Sequence, residues 1–222
     1  MTREMRAKVW RYVALVGLSL SVLFGQGVWA QDAKKILDEA AAVYENSNGL
    51  SAKFTINNFS KAQNIGESFE GTIQMRGDKF VLMTPDVSTW FDGHTQWAYV
   101  ARSEEVNVTT PSGDDLKMTN PMLLLNGYQK GFVPEFKGES TAPNGKSVYD
   151  IELKPKVKSD VSRIELRIEK FKKYPASIEV ELKNGTRTRI VVDAIEVGLN
   201  QPDPFFTFPK GDYPDAEIID LR

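Results

Sequence analysis

The sequence predicts a mainly β protein of the α+β class, built as one curved, mostly antiparallel sheet with a few helices across its apolar face. Three observations carry this. From Leu50 onward apolar residues recur at every second position in run after run, the period of a half-buried strand. Asn184-Gly185 stands between two such runs, the strongest short hairpin signal. The positions opposite the apolar ones carry Arg163, Glu165, Arg167, Glu169, Glu179, Glu181, Arg187 and Arg189, so one face is wet and the other apolar.

The chain opens differently. Arg3, Arg6, Lys8 and Arg11 outweigh Glu4, an apolar stretch runs from Tyr12 to Phe24, and Val28-Trp29-Ala30 offers tolerated residues at the −3 and −1 positions of a signal peptidase. The apolar stretch is shorter than the roughly 20 residues that span a bilayer. The reading is a signal peptide over residues 1–30, cut after Ala30, with residues 31–222 exported to the periplasm as one soluble domain. No Arg-Arg pair supports a twin-arginine route, and with Cys 0 there is no residue to take up a lipid anchor. Stability must therefore come from packing and sheet ladders without disulfides. Removing four basic and one acidic residue from 28 Lys+Arg and 30 Asp+Glu leaves a net charge of about −5. Nucleic acid is not an expected partner.

After the leader, Asp32 is placed to N-cap an amphipathic helix carrying Ile36, Leu37, Ala40, Ala41, Val43 and Tyr44, ending near Asn48-Gly49. Strands then follow at Ala52/Phe54/Ile56, Phe69/Gly71/Ile73/Met75, Phe80/Leu82, Thr95/Trp97/Tyr99 and Val106/Val108. A second series runs through Tyr149/Ile151/Leu153, Ile164/Leu166/Ile168, Ile178/Val180/Leu182 and, past Asn184-Gly185, Ile190/Val192/Ala194. Between the series, Asn120 as N-cap, Pro121 at the first helical position and Gly127 past the end define a short helix. Its body, Met122 to Leu125, is wholly apolar, so it must lie on something. Pro202-Asp203-Pro204 and Pro209 to Pro214 punctuate the end as loop around a last short strand, Phe205 to Phe208.

Catalytic readings find few residues to use. The single histidine, His94, sits in the turn context Asp92-Gly93-His94; without cysteine, thiol proteases and ordinary zinc sites have no ligands. There is neither a G-x-S-x-G elbow nor a phosphate-binding glycine loop. Glu165, Glu169, Glu179 and Glu181 could approach one another across strands, but their alternation with arginine reads as a salt-bridged surface. The chain is therefore expected to be neither an enzyme nor dependent on a cofactor or metal. Its large apolar surface, including Phe54, Phe69, Phe80, Trp90, Trp97, Tyr99, Phe205, Phe206 and Phe208, suits either plain core packing or the binding of apolar cargo.

Four segments in order resemble one family. Gly71-Thr72-Ile73-Gln74-Met75-Arg76-Gly77-Asp78-Lys79-Phe80 is similar to its glycine, strand and R-P-G-[RK]-F turn, and Trp90-Phe91-Asp92-Gly93-His94-Thr95-Gln96-Trp97-Ala98-Tyr99 to its S-D-G-K-T-L-W-x-Y hairpin. Asn120-Pro121-Met122-Leu123-Leu124-Leu125 resembles its T-P-F-M-L-I helix, and Phe206-Thr207-Phe208-Pro209-Lys210-Gly211 its closing F-x-F-x-P-x-G. The chain thus resembles the LolA family of periplasmic lipoprotein carriers over its whole exported region.

The resemblance implies an incomplete, strongly curved antiparallel β-barrel with short helices as a lid over an apolar cavity. In that family the cavity takes the acyl chains of lipoproteins released by an ATP-driven inner-membrane complex and passes them to an outer-membrane acceptor. Arg76 matches an arginine that hydrogen-bonds to the lid, and Met122, Leu123 and Leu125 match the lid. Phe54, Phe69, Met75, Phe80, Trp97, Ile164 and Leu166 are the expected cavity lining. Gly77 stands where the family usually has proline, which predicts a looser turn after Arg76, and the strand before Arg76 is one residue shorter than the family pattern. Within the family the acceptor is itself lipidated through an N-terminal cysteine, so a chain with none resembles the travelling, monomeric partner. The same fold also serves lipid-binding regulators of envelope stress, usually with a second domain, and carriers of other lipids.

Overall fold

The computed structural model describes the backbone of residues 25–60, 65–111 and 123–222, and the side chains of residues 32–60, 66–111 and 127–222. Helix α1 spans Gly25–Glu45. It begins upstream of Asp32, which lies inside it and not at its N-cap. Ala33, Ile36, Leu37, Ala40 and Tyr44 are buried along it, one stripe at helical spacing. It stops as the sequence predicts: Asn48 and Gly49 take left-handed φ values of 51° and 97°.

Strands β1 (Leu50–Ser60), β2 (Ile65–Arg76), β3 (Lys79–Met83), β4 (Val87–Phe91), β5 (Gln96–Val100) and β6 (Glu105–Thr109) form a meander. Helix α2 (Leu123–Gly131) leads to a second meander of β7 (Phe132–Thr141), β8 (Ser147–Pro155), β9 (Val161–Glu169), β10 (Pro175–Leu182) and β11 (Thr186–Val197), with β12 (Glu217–Asp220) last. Among the described residues these form one 12-stranded sheet in the order β12-β6-β5-β4-β3-β2-β1-β11-β10-β9-β8-β7. Neighbours are antiparallel except β12, which runs parallel to β6. β12 and β7 remain edges, so the barrel is incomplete. The β10–β11 connection bears out the Asn-Gly signal: Gly185 N donates to Leu182 O at 2.9 Å and Gly185 adopts φ 83°, a type I turn closed by a left-handed glycine.

Some sequence expectations shift. Gly127 lies within α2, which runs on to Gly131, while Asn120, Pro121 and Met122 fall outside the described residues. Phe205 to Phe208 do not form a strand. Asp203–Phe206 is a 3₁₀ helix with proline in its first turn, because Pro202 and Pro204 cannot donate to a ladder. The final strand comes later, at Glu217–Asp220.

The sheet carries apolar clusters on both faces. On the inner face, Ala52, Phe54, Ile73, Met75, Phe80, Phe91, Ile151, Leu153, Ile164, Leu166, Ile168 and Ile178 pack with the α1 stripe and with Tyr128 of α2. On the outer face of β3–β6, Val81, Trp90, Val106 and Val108 are covered by Phe206 and Phe208 from the C-terminal segment, with Trp97, Tyr99 and Tyr213 alongside. The ring centroids of Trp90 and Phe208 lie 5.3 Å apart, edge to face, and those of Tyr99 and Tyr213 4.6 Å apart. The segment after β11 is thus a strap across the back of the first meander.

Candidate functional site

The inner face is the site the fold builds. Phe54, Met75, Phe80, Ile164 and Leu166, expected from the sequence to line a cavity, are all buried there in one cluster. Phe54 and Gly71 are cross-strand partners, and the ring occupies the space a side chain at Gly71 would need. Phe69 lies on the same face of β2, two positions before Gly71, and is only half-buried. Phe80 and Phe91 pack with centroids 5.4 Å apart.

Trp97 is elsewhere. It pairs with Trp90 and Val108, whose side chains belong to the outer cluster, so it contacts the strap side and not the inner face. β5 is half-buried at every position, and its alternation cannot say which of its two apolar sets points inward. Met122 lies outside the described residues, as do the side chains of Leu123 and Leu125, although Leu123 opens α2. The inner-face cover that is described is chiefly α1. The sequence showed α1 as an amphipathic helix, but nothing in its spacing said that it would seal this face.

Arg76, at the end of β2, is held by the strap. Its guanidinium donates to the carbonyl oxygen of Gln201 and to the Asp203 carboxylate, and lies 5.7 Å from the Phe206 ring centroid. Lys79 adds a 2.8 Å contact to the same carboxylate. The family resemblance implied a lid partner for Arg76; among the described residues its partners are in the strap. The hydrogen bond from Lys79, with the Arg76 charge beside it, holds the Asp203 carboxyl below its ordinary pKa.

The turn between Arg76 and Lys79 is tight, not loose. Gly77 takes φ 57° at the first central position of a two-residue hairpin, a place proline's fixed negative φ could not fill. The Gly77 carbonyl accepts the hydroxyl hydrogen of Tyr44, tying the end of α1 to this turn. Burial, with the Asp78 charge adding to it, pushes the Tyr44 phenol pKa up, so it stays a donor.

The glutamates that alternate with arginine lie on the outer face, each with a cation. Arg163 contacts Glu181 at 2.9 Å and Glu165 at 3.1 Å, Arg189 contacts Glu179 at 2.5 Å, and Lys146 pairs with Glu169. His94 is exposed, and Asp92 accepts from the backbone N–H groups of His94 and Thr95 at 2.9 and 2.8 Å. Among the described residues no group of three or more His, Cys, Asp or Glu side chains is placed to hold a metal. What the inner face offers is apolar burial.

A family model described as outer membrane lipoprotein carrier protein LolA matches residues 22–186. The chain belongs to the LolA family. An uncharacterized conserved protein from Thermus thermophilus shares the fold with a TM-score of 0.58 at 14% identity, over 85% of this LolA-family chain and 99% of that one. Weaker likenesses include a putative outer membrane lipoprotein-sorting protein domain from Vibrio parahaemolyticus, with a TM-score of 0.46 at 11% identity over 83% and 99% of the two chains. Another is the Mycobacterium tuberculosis lipoprotein LppX, with a TM-score of 0.45 at 12% identity over 78% and 97%. No curated protein sequence matches this LolA-family chain.

Proposed function

We propose that this chain is an exported, non-catalytic carrier that takes the acyl chains of lipoproteins between its helices, α1 and α2, and the inner face of the sheet and ferries them from the inner to the outer membrane. The observation that carries this reading is a continuous apolar inner face in an open sheet, covered by helices that the strand ladders do not hold. An acyl chain of roughly a dozen methylenes carries on the order of 10 kcal/mol of transfer free energy, at about 0.8 kcal/mol per CH₂. Cargo can therefore displace apolar helix side chains from the same surface at little net cost. Family membership supports lipoproteins as the cargo, with an ATP-driven inner-membrane complex as donor and an outer-membrane acceptor as recipient. The N-terminal reading supports a periplasmic form beginning at Gln31.

The test is direct. Periplasmic protein, its N-terminus sequenced, is offered a triacylated lipoprotein released from membranes and run on a sizing column. A soluble complex that contains one of each, and is lost when Leu123 and Leu125 are replaced by aspartate, is the expected result. Lipoprotein that stays aggregated, or binding indifferent to those substitutions, overturns the reading. Co-purified free lipid without lipoprotein would move the cargo to another lipid class.

A further inference from the structure

The β9–β10 turn presents a feature the cargo site does not use. Phe171 is 91% exposed, the most exposed of the large apolar side chains among the described residues. Lys170, Lys172 and Lys173 flank it. The turn that holds it is firmly built. Lys170 N donates to Ser147 O at 3.0 Å, Lys173 N to Glu169 O at 3.1 Å and Glu169 N to Tyr174 O at 2.8 Å. Lys173 occupies the left-handed region at φ 60°, which turns the chain back into β10.

The lysines flanking this ring are arranged in two ways. Lys170 and Lys173 lie over the Tyr149 ring, with Nζ 5.4 and 4.8 Å from its centroid, and pair with Glu139 and with Glu39 of α1, the latter at 2.9 Å. Lys172 is exposed and, among the described residues, has no carboxylate partner. The antiparallel pairing of β10 with β11 sets the start of β10 beside the far end of β11, and so places Val197 at this same end of the strands. Val197, Leu199 and Phe205 are there 47%, 36% and 36% exposed.

We infer that this turn docks the protein on an anionic phospholipid surface, with the Phe171 ring entering the interface and the flanking ammonium groups meeting the phosphates. An aromatic ring beside cations suits the headgroup boundary, where the ring is buried and the charges stay wet. Each lysine near an anionic surface adds attraction, and Lys172 is the one free to do so. A protein partner is the poorer match, because one projecting ring offers far less area than the roughly 1,200 Å² of a specific interface. A fluid bilayer needs no complementary pocket. Because the turn is already ordered, docking incurs little conformational entropy loss.

The test uses residues 31–222 and vesicles of phosphatidylglycerol and phosphatidylcholine, with pure phosphatidylcholine as comparison. The expected result is cosedimentation with the anionic vesicles that falls as salt rises, about tenfold weaker with F171S and about fivefold weaker with K172Q. V157S, which alters a 74% exposed residue in the β8–β9 connection at the opposite end of the strands, should bind like the parent. In F171W the added indole should be quenched by brominated lipid. Equal binding to both vesicle types, F171S binding like the parent, V157S binding as weakly as F171S, or an unquenched F171W indole would each overturn the inference. None of these readouts depends on whether lipoprotein is the cargo, so the two proposals fail separately.

Discussion

Gly71→Ala tests how closely the inner face is built. A Cβ at this position would lie 2.5 and 2.6 Å from Cζ and Cε2 of Phe54 and 2.8 Å from the carbonyl oxygen of Met83. The ring can swing, but the carbonyl belongs to the β2–β3 ladder and cannot move without disturbing it. Overpacking of this kind costs about 1–3 kcal/mol, offset by about 0.4–1 kcal/mol from the reduced freedom of the unfolded chain. A net loss of about 1–2 kcal/mol is expected. With a urea slope of about 2 kcal/mol/M, the midpoint followed by tryptophan fluorescence should fall by roughly 0.5–1 M. Adding Phe54→Leu removes the ring contact and leaves the carbonyl contact, so the two substitutions together should be less harmful than their separate effects added. A Gly71→Ala protein that unfolds at the parent's urea concentration or above would refute the claim that Phe54 fills the glycine's space.

Phe206→Ala removes a fully buried ring from the strap and should cost about 3–5 kcal/mol; hydrogen exchange should rise in Glu217–Asp220 and around Val106 and Val108 while β8–β10 stay protected, and a uniform rise would count against a separable strap. Tyr44→Phe deprives the Gly77 carbonyl of its donor and should lower stability by about 1–2 kcal/mol in urea unfolding; an unchanged midpoint would show that water replaces the bond without loss. Asp203 has a lower pKa folded than unfolded, so its contribution is full above the ordinary carboxylate range near pH 4 and is lost as pH falls through the lowered folded value. The strap should therefore stay clamped at neutral pH and loosen only below about pH 4, seen as a change in Trp90 and Trp97 fluorescence that Asp203→Asn abolishes; the same acid transition in that variant would remove Asp203 as its cause.

The strands that could be read in the sequence were those with one wet face. β9 and β10 alternate Ile164, Leu166 and Ile168 or Ile178 and Val180 against charged residues, and the sheet places them as the pattern demands. β4 gave no alternation because Thr89, Trp90 and Phe91 are all buried, the strand being covered on both faces. β7 was hidden by Pro134 and Gly138, which the ladder accommodates at an edge and at the shift in register between Phe136 and Gly138. The same logic applies to the site. Phe54 and Met75 could be assigned because β1 and β2 have one apolar side, and Phe80 through its pairing with Met75, since β3 like β5 carries apolar residues on both faces, Val81 and Met83 lying with the outer cluster. Trp97 could not be assigned. The anchoring of Arg76 to Gln201 and Asp203 joins residues more than a hundred positions apart, and no local pattern reports such a pairing.

The strand order has one more consequence. The two meanders are joined side by side through β1 and β11, and the far margins, β12 and β7, meet no further partner in the sheet among the described residues. A closed cylinder has a girth fixed by its strand count and stagger, and admitting a larger guest means tearing a seam of hydrogen bonds. Here there is no seam to tear. What holds the two margins in place is side-chain packing, chiefly the α1 stripe against the inner face, and packing yields contact by contact where a ladder must break bond by bond. Under the proposed carrier role such a vessel has no single capacity, and guests with different numbers of tails would be held by the same backbone.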